Sequence, residues 1–155
     1  MKKFIQITLC ILLPLAVGAI GSFATTKNIN TWYLFLNKPV FNPPNWLFGP
    51  VWTILYILMG ISFYLILQSP KSDLRKKAIV IFCIQLFLNF WWSFLFFNFH
   101  LLGIAFIEIV LMWLAIIVMI MQFLKVHRTA ALLQIPYLFW VSFASLLNGA
   151  IWYLN

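Results

Sequence analysis

The sequence predicts an all-α integral membrane protein, a single bundle of five transmembrane helices with a long first loop. Three observations carry that reading. Of 155 residues, 65% are hydrophobic and only 8% charged, and mean hydropathy is +1.05, far from the balance of soluble domains. Apolar runs recur five times at the length of about 20 residues that a helix needs to cross a bilayer. These runs are continuous, whereas a membrane β-barrel alternates over segments of about ten residues. A soluble fold of this size leaves too much surface exposed to hide so many apolar side chains.

The first element, about residues 4–26, follows Lys2 and Lys3. A basic start before an apolar run also describes a leader peptide, but this run exceeds the usual leader core of about 7–15 residues and reads as the first span. A loop over 27–45 follows, holding Trp32, Tyr33, Pro39 and the stretch "FNPPNWLFGPVW" from Phe41 to Trp52. Pro43 and Pro44 lack N–H groups and force an extended approach to the second span, 46–68. Pro50 falls in its first turns, where a missing donor costs least. Asn42 and Asn45 are suited to meet loose backbone groups, so the stretch reads as a stiff lid or wall at one mouth of the bundle. The remaining spans are 78–99, 102–124 and 129–154, joined by short connections, and the whole chain 1–155 reads as one domain.

The formal charge of +8 is unevenly placed. Lys2, Lys3, Lys71, Arg75, Lys76, Lys77, Lys125 and Arg128 fall on one side of five crossings, and Lys27 and Lys38 on the other. The positive-inside rule puts the N-terminus in the cytoplasm and the first loop outside, the expected setting being a bacterial cell membrane. No basic face with aromatic readers suggests nucleic acid.

Catalytic inventory is thin. Cys10 and Cys83 sit inside spans at no metal spacing, His100 and His127 lie in loops on opposite faces, and the acids are Asp73 and Glu108 alone. No metal cluster, carboxylate pair or nucleophile–base set assembles from these. Glu108, about two turns into the fourth span, is expensive there and often functional in such places; with no basic residue inside any span, it reads as a protonated or hydrogen-bonded carboxyl facing another helix or subunit.

Helical spacing is more informative. Gln85, Asn89, Trp92, Ser93 and Phe96 share one face of the third helix, Trp52, Tyr56, Met59, Gly60 and Phe63 one of the second, and Pro136, Trp140, Phe143, Ala144, Leu147, Asn148 and Ile151 one of the fifth. Three helices thus each present a tryptophan beside polar or small residues at membrane depth. Singly, such residues are packing, and Trp32, Trp46, Trp113 and Trp152 read as interface or packing residues; asparagines often tie helices together. Together, Trp52, Asn89, Trp92, Trp140 and Asn148 suit a cavity of flat apolar walls with a few orienting hydrogen bonds.

"FNPPNWLFGPVWTILYILMG", "QLFLNFWWSFLFF" and "PYLFWVSFASLLNGAIWYLN" resemble the TspO/MBR family of tryptophan-rich sensory and translocator proteins, over nearly the whole chain from about Phe41. The resemblance implies a dimeric five-helix protein binding tetrapyrroles such as protoporphyrin IX, and isoquinoline carboxamide or benzodiazepine ligands, with no required cofactor. Its pattern falls on Pro43, Pro44, Asn45, Trp52, Asn89, Trp92, Trp140, Ala144 and Asn148, with Trp52 and Trp140 as walls, Asn89 and Asn148 as hydrogen-bonding groups, and Tyr33 as a lid candidate. Porphyrin propionates are expected to reach Lys27 or Lys38. One departure stands out: no Lys or Arg follows Tyr153, which disfavours the sterol ligand of mitochondrial members. Alternatives to a binding sensor are light- and oxygen-dependent degradation of bound porphyrin, with Trp52 and Trp140 as redox neighbours, and transport of porphyrins or other small apolar molecules. Gly18 with Ser22, and Ser145 with Gly149, are small-xxx-small pairs for packing within or between subunits.

Overall fold

The computed structural model describes residues 1–155, the side chain of Lys2 excepted, and no strand occurs among the described residues. Five helical stretches are long and apolar enough to cross a membrane: Lys3–Ile29, Asn45–Gln68, Asp73–Asn98, Leu102–Leu124 and Arg128–Leu154. The long first loop is not borne out as expected. Helix α1 (Lys2–Ile29) runs past Thr26, and the shortened connection holds a 3-10 turn at Trp32–Phe35 and another at Asn45–Leu47. Thr25, Thr26 and Asn28 bond back to carbonyls one turn earlier, so the polar end of α1 stays helical instead of fraying.

Helix α2 (Phe48–Gln68) crosses α1 closely, for a reason set by two residues. Pro14 inside α1 has no N–H to offer the Cys10 carbonyl one turn back. Gly60 of α2 packs onto that spot: a Cβ there would lie 2.7 Å from the Cys10 oxygen and 2.4 Å from Ile11 Cα. Only glycine permits this approach.

Helix α3 (Asp73–Ser93) starts earlier than expected because Ser72 caps it, its Oγ accepting from the Arg75 N–H at 3.1 Å. Its far end widens into a π turn over Phe94–Asn98, and the Leu101 N–H then reaches back to the Leu95 carbonyl at 3.0 Å. That closure places His100 at φ 58°, the left-handed residue that ends many helices. The His100 ring stacks on Trp32, centroids 4.0 Å apart.

Helix α4 (Leu102–Leu124) packs between α3 and the last helix. The fifth span is not one helix: α5 (Arg128–Leu132) breaks at Leu133–Gln134 before α6 (Ile135–Leu154). Pro136 explains the break, since its ring fits the first turn of a helix and not its interior. The break is anchored by α2, as Ser62 Oγ donates to the Ala130 carbonyl at 2.7 Å.

Two apolar clusters fill the bundle. One centres on Met59, Phe82, Met112, Met119, Phe123 and Tyr137. The other, beneath the first loop, gathers Tyr33, Phe96, Phe97, Ala105, Leu147 and Ile151.

Candidate functional site: a cavity under the first loop

A cavity of about 720 Å³ occupies the half of the bundle beneath the first loop, within the size range of small-molecule sites. Its walls come from α1, α2, α3 and α6; α4 stands behind them. Of the residues singled out in the sequence, Tyr33, Asn45, Trp52, Asn89, Trp92, Trp140, Ala144 and Asn148 line it.

Pro43 and Pro44 do not line it. Pro44 is extended (φ −63°, ψ 141°) and receives the Leu47 N–H on its carbonyl at 3.0 Å, while Asn42 Nδ2 donates to the Pro43 carbonyl at 3.1 Å. The prolines thus aim the chain into α2 from outside the cavity. Asn42, not Asn45, meets the loose backbone group.

The aromatic walls are fixed by neighbours. Trp52 stacks on Tyr56 (centroids 5.4 Å) and meets Tyr137 edge-on at 6.1 Å. Trp140 sits between Phe48 and Phe143, at 6.1 and 5.7 Å. Trp92 stacks on Phe96 at 5.4 Å.

Behind the walls runs a chain of hydrogen bonds. The Tyr56 hydroxyl donates to Asn89 Oδ1 at 2.8 Å, Asn89 Nδ2 donates to the Tyr137 oxygen at 3.1 Å, and the Tyr137 hydroxyl donates to Gln85 Oε1 at 3.1 Å. Asn89 therefore has both halves of its amide occupied and serves α2–α3–α6 registration as much as the cavity. Trp92 Nε1, Trp140 Nε1 and both amide atoms of Asn148 are buried with no protein partner. The cavity lining holds no charged residue, and hydroxyl and amide side chains such as Ser22, Thr25, Thr26, Asn45 and Asn89 stand among its aromatic and aliphatic walls. No cluster of three or more His, Cys, Asp or Glu suited to a metal exists among the described residues.

The loop closes the mouth. Tyr33 is buried, its hydroxyl donating to Asn42 Oδ1 at 2.7 Å; burial pushes its pKa up to about 12, only partly offset by that bond. Lys38 spends its ammonium on the carbonyls of Tyr33, Leu34 and Leu36, at 2.8, 3.1 and 3.0 Å. All three of its donors are engaged within the loop, while Lys27 is exposed; neither lysine lines the cavity. Asn155 clasps the loop, accepting the Asn37 N–H at 2.9 Å and donating to the Asn37 carbonyl at 3.0 Å.

Comparison with known proteins decides the lineage. Residues 10–154 match the pattern of the TspO/MBR family. The chain belongs to the TspO/MBR family. It is 44% identical to the tryptophan-rich protein TspO of Chlorobaculum tepidum, over 99% of this chain and 98% of that one. It is equally 44% identical to the protein of that name from Archaeoglobus fulgidus, over 99% of each. The human translocator protein is 36% identical over 86% of this chain and 83% of its own length. Against this family background, the residues missed in the sequence are the informative ones.

Tyr56, Phe96, Leu147 and Ile151 were on the right helical stripes but were not singled out as site residues. Trp46, read as an interface residue, also borders the cavity. Trp113, read as an interface or packing residue, donates to Ser142 Oγ at 2.8 Å. Helix α1 contributes Gly18, Ser22, Thr25 and Thr26. The Gly18–Ser22 pair, read as a motif for packing within or between subunits, packs within this one: Gly18 leaves room for the Tyr56 ring, which a Cβ there would strike.

Proposed function

We propose that this chain is a membrane receptor or sensor that binds tetrapyrroles such as protoporphyrin IX, and isoquinoline carboxamide or benzodiazepine-type ligands, in the cavity beneath the first loop. The observation that carries the reading is the convergence of Trp52, Trp92 and Trp140 on one cavity, the indole N–H groups of Trp92 and Trp140 being unpaired. Flat indole faces suit a flat macrocycle, and isolated buried donors suit a few oriented polar contacts. The family's sensory and translocator names agree with a ligand-handling role. The protein needs no cofactor for this, and the ligand enters past Tyr33 and the loop.

The reading includes an N-terminus in the cytoplasm, following the basic residues on that side, and two copies per assembly. The Gly18–Ser22 face is used inside the subunit, so the contact between copies lies on another face.

The test is titration of detergent-solubilised protein with protoporphyrin IX, followed by tryptophan fluorescence. Saturable quenching is expected, weakened about tenfold in Trp52→Phe or Trp140→Phe, the loss of about one aromatic contact. Quenching that rises linearly, as with empty micelles, refutes the proposal. Bleaching of the porphyrin spectrum in light and air, abolished in either variant, would move the function to chemistry.

A further inference from the structure

The cavity is not walled equally on every side. Its α3 and α6 residues Asn89, Phe96, Ala144 and Asn148 are buried. Ala19, Ser22 and Thr26 of α1, with Trp46, Gly49 and Thr53 at and before the start of α2, line the same space and yet are exposed, Trp46 by 71%. Residues that border the cavity and the outside at once mark an opening. Below it the two helices are in contact: Gly18 lies against Tyr56, Gly60 against Cys10 and Ile11, and Gln68 Nε2 donates to Gln6 Oε1 at 2.9 Å. Above the Gly18–Tyr56 contact, Ala19, Ser22 and Thr26 climb one helix while Thr53, Gly49 and Trp46 climb the other. The two edges thus bound a slot that rises to the first loop.

Both edges belong to the membrane spans Lys3–Ile29 and Asn45–Gln68, so the slot faces lipid. Its hydroxyls are spent on their own helices. Ser22 Oγ donates to the Ala19 carbonyl at 2.6 Å, Thr26 Oγ1 to the Ser22 carbonyl at 2.8 Å and Thr53 Oγ1 to the Gly49 carbonyl at 2.9 Å. Such back-bonding leaves no O–H group free for a guest. Hydrocarbon therefore fills the slot without stranding a polar group. Deeper in, the unpaired N–H groups of Trp92 and Trp140 and the unpaired Asn148 amide offer the opposite chemistry.

We propose that the cavity takes amphiphiles with a flat ring system inside and one long hydrocarbon tail, carried on the ring's edge, leaving between α1 and α2 into the bilayer. Among tetrapyrroles the class is a macrocycle esterified at one propionate with a long alkyl or isoprenoid alcohol. Its tail stays in hydrocarbon before and after binding, so it costs little affinity. A closed cavity of about 720 Å³, already largely taken up by a macrocycle, would reject it. Because the slot reaches the first loop, the tail slides along it while the ring passes Tyr33. This deepens the proposed function and rests on it.

The experiment compares the monomethyl and monohexadecyl esters of protoporphyrin IX by tryptophan quenching at matched micelle concentration. The two should bind the unaltered full-length protein within about threefold of each other. The double variant Ala19→Phe, Thr53→Phe, whose added rings narrow the slot from exposed positions, should weaken the hexadecyl ester at least about tenfold relative to the methyl ester. A hexadecyl ester ending in a diazirine gives a reading that needs no variant. On irradiation it should label residues 19–26 and 46–53, and an excess of the methyl ester should abolish the labelling. Binding of the methyl ester alone, an unchanged ratio in the double variant, or labelling confined to α4 and α6 overturns the proposal while leaving porphyrin binding intact. Failure of both esters to bind the unaltered protein overturns the proposed function itself, and this proposal with it.

Discussion

Tyr137→Phe separates the scaffold from the cavity with one atom. The Tyr137 side chain is 1% exposed, outside the lining, and its hydroxyl accepts from Asn89 and donates to Gln85. Phenylalanine keeps the ring and its packing against Trp52, so the loss is confined to those bonds. Two hydrogen bonds at membrane depth, averaging about 0.6 and reaching about 1.7 kcal/mol each, give a cost of about 1 to 3 kcal/mol. The upper part of that range is expected, because Gln85 Nε2 already lacks a partner and the variant orphans its oxygen as well. The assay is equilibrium unfolding in mixed micelles, with Gln85→Leu and the double variant completing a cycle. The double variant should cost less than the two single losses together, since removing both partners leaves no orphan. Ligand affinity should hold or rise as Asn89 Nδ2 is freed. A stability change below about 0.5 kcal/mol, or strict additivity, would refute the reasoning.

Further outcomes follow from the same contacts. Gly60→Ala should destabilise the protein by about 1 to 3 kcal/mol, because the clash is with α1 backbone that cannot swing aside; thermal unfolding measures it. Lys38→Met leaves three loop carbonyls without their donor and should speed ligand association and dissociation together in stopped-flow traces, with little change in affinity. With the Tyr33 pKa raised from 10 to about 12, the folded state holds a proton that the unfolded chain releases first. Its contribution is complete below about pH 10 and is lost as pH rises through about 12. Loop protection against proteolysis should fall across that window, and Tyr33→Phe should remove the step.

Hydropathy made the five spans legible, and helical spacing brought Trp52, Trp92 and Trp140 to one space without any contact information. What escaped was set by longer-range geometry. Pro136 signalled a helix start, yet the apolar run across residues 129–154 masked the break it causes. The π turn at Phe94–Asn98 has no local signature beyond its aromatic run, and the left-handed His100 follows from it. Lys38 looked free because its three partners are backbone carbonyls, which every residue carries. Gly18 and Ser22 fit close helix packing and a cavity wall equally well by spacing; only the position of Tyr56 distinguishes these uses. The prolines at 43 and 44 matched the family motif, but their part is to direct the chain rather than touch a guest.

The most direct measurement is a structure of the protein with protoporphyrin IX bound. The account predicts the macrocycle beneath the first loop, within about 4 Å of both Trp52 and Trp140. A porphyrin seated instead in the outer groove between α4 and α6, against Phe106, Trp113 and Trp152, with the inner cavity unchanged, would contradict it.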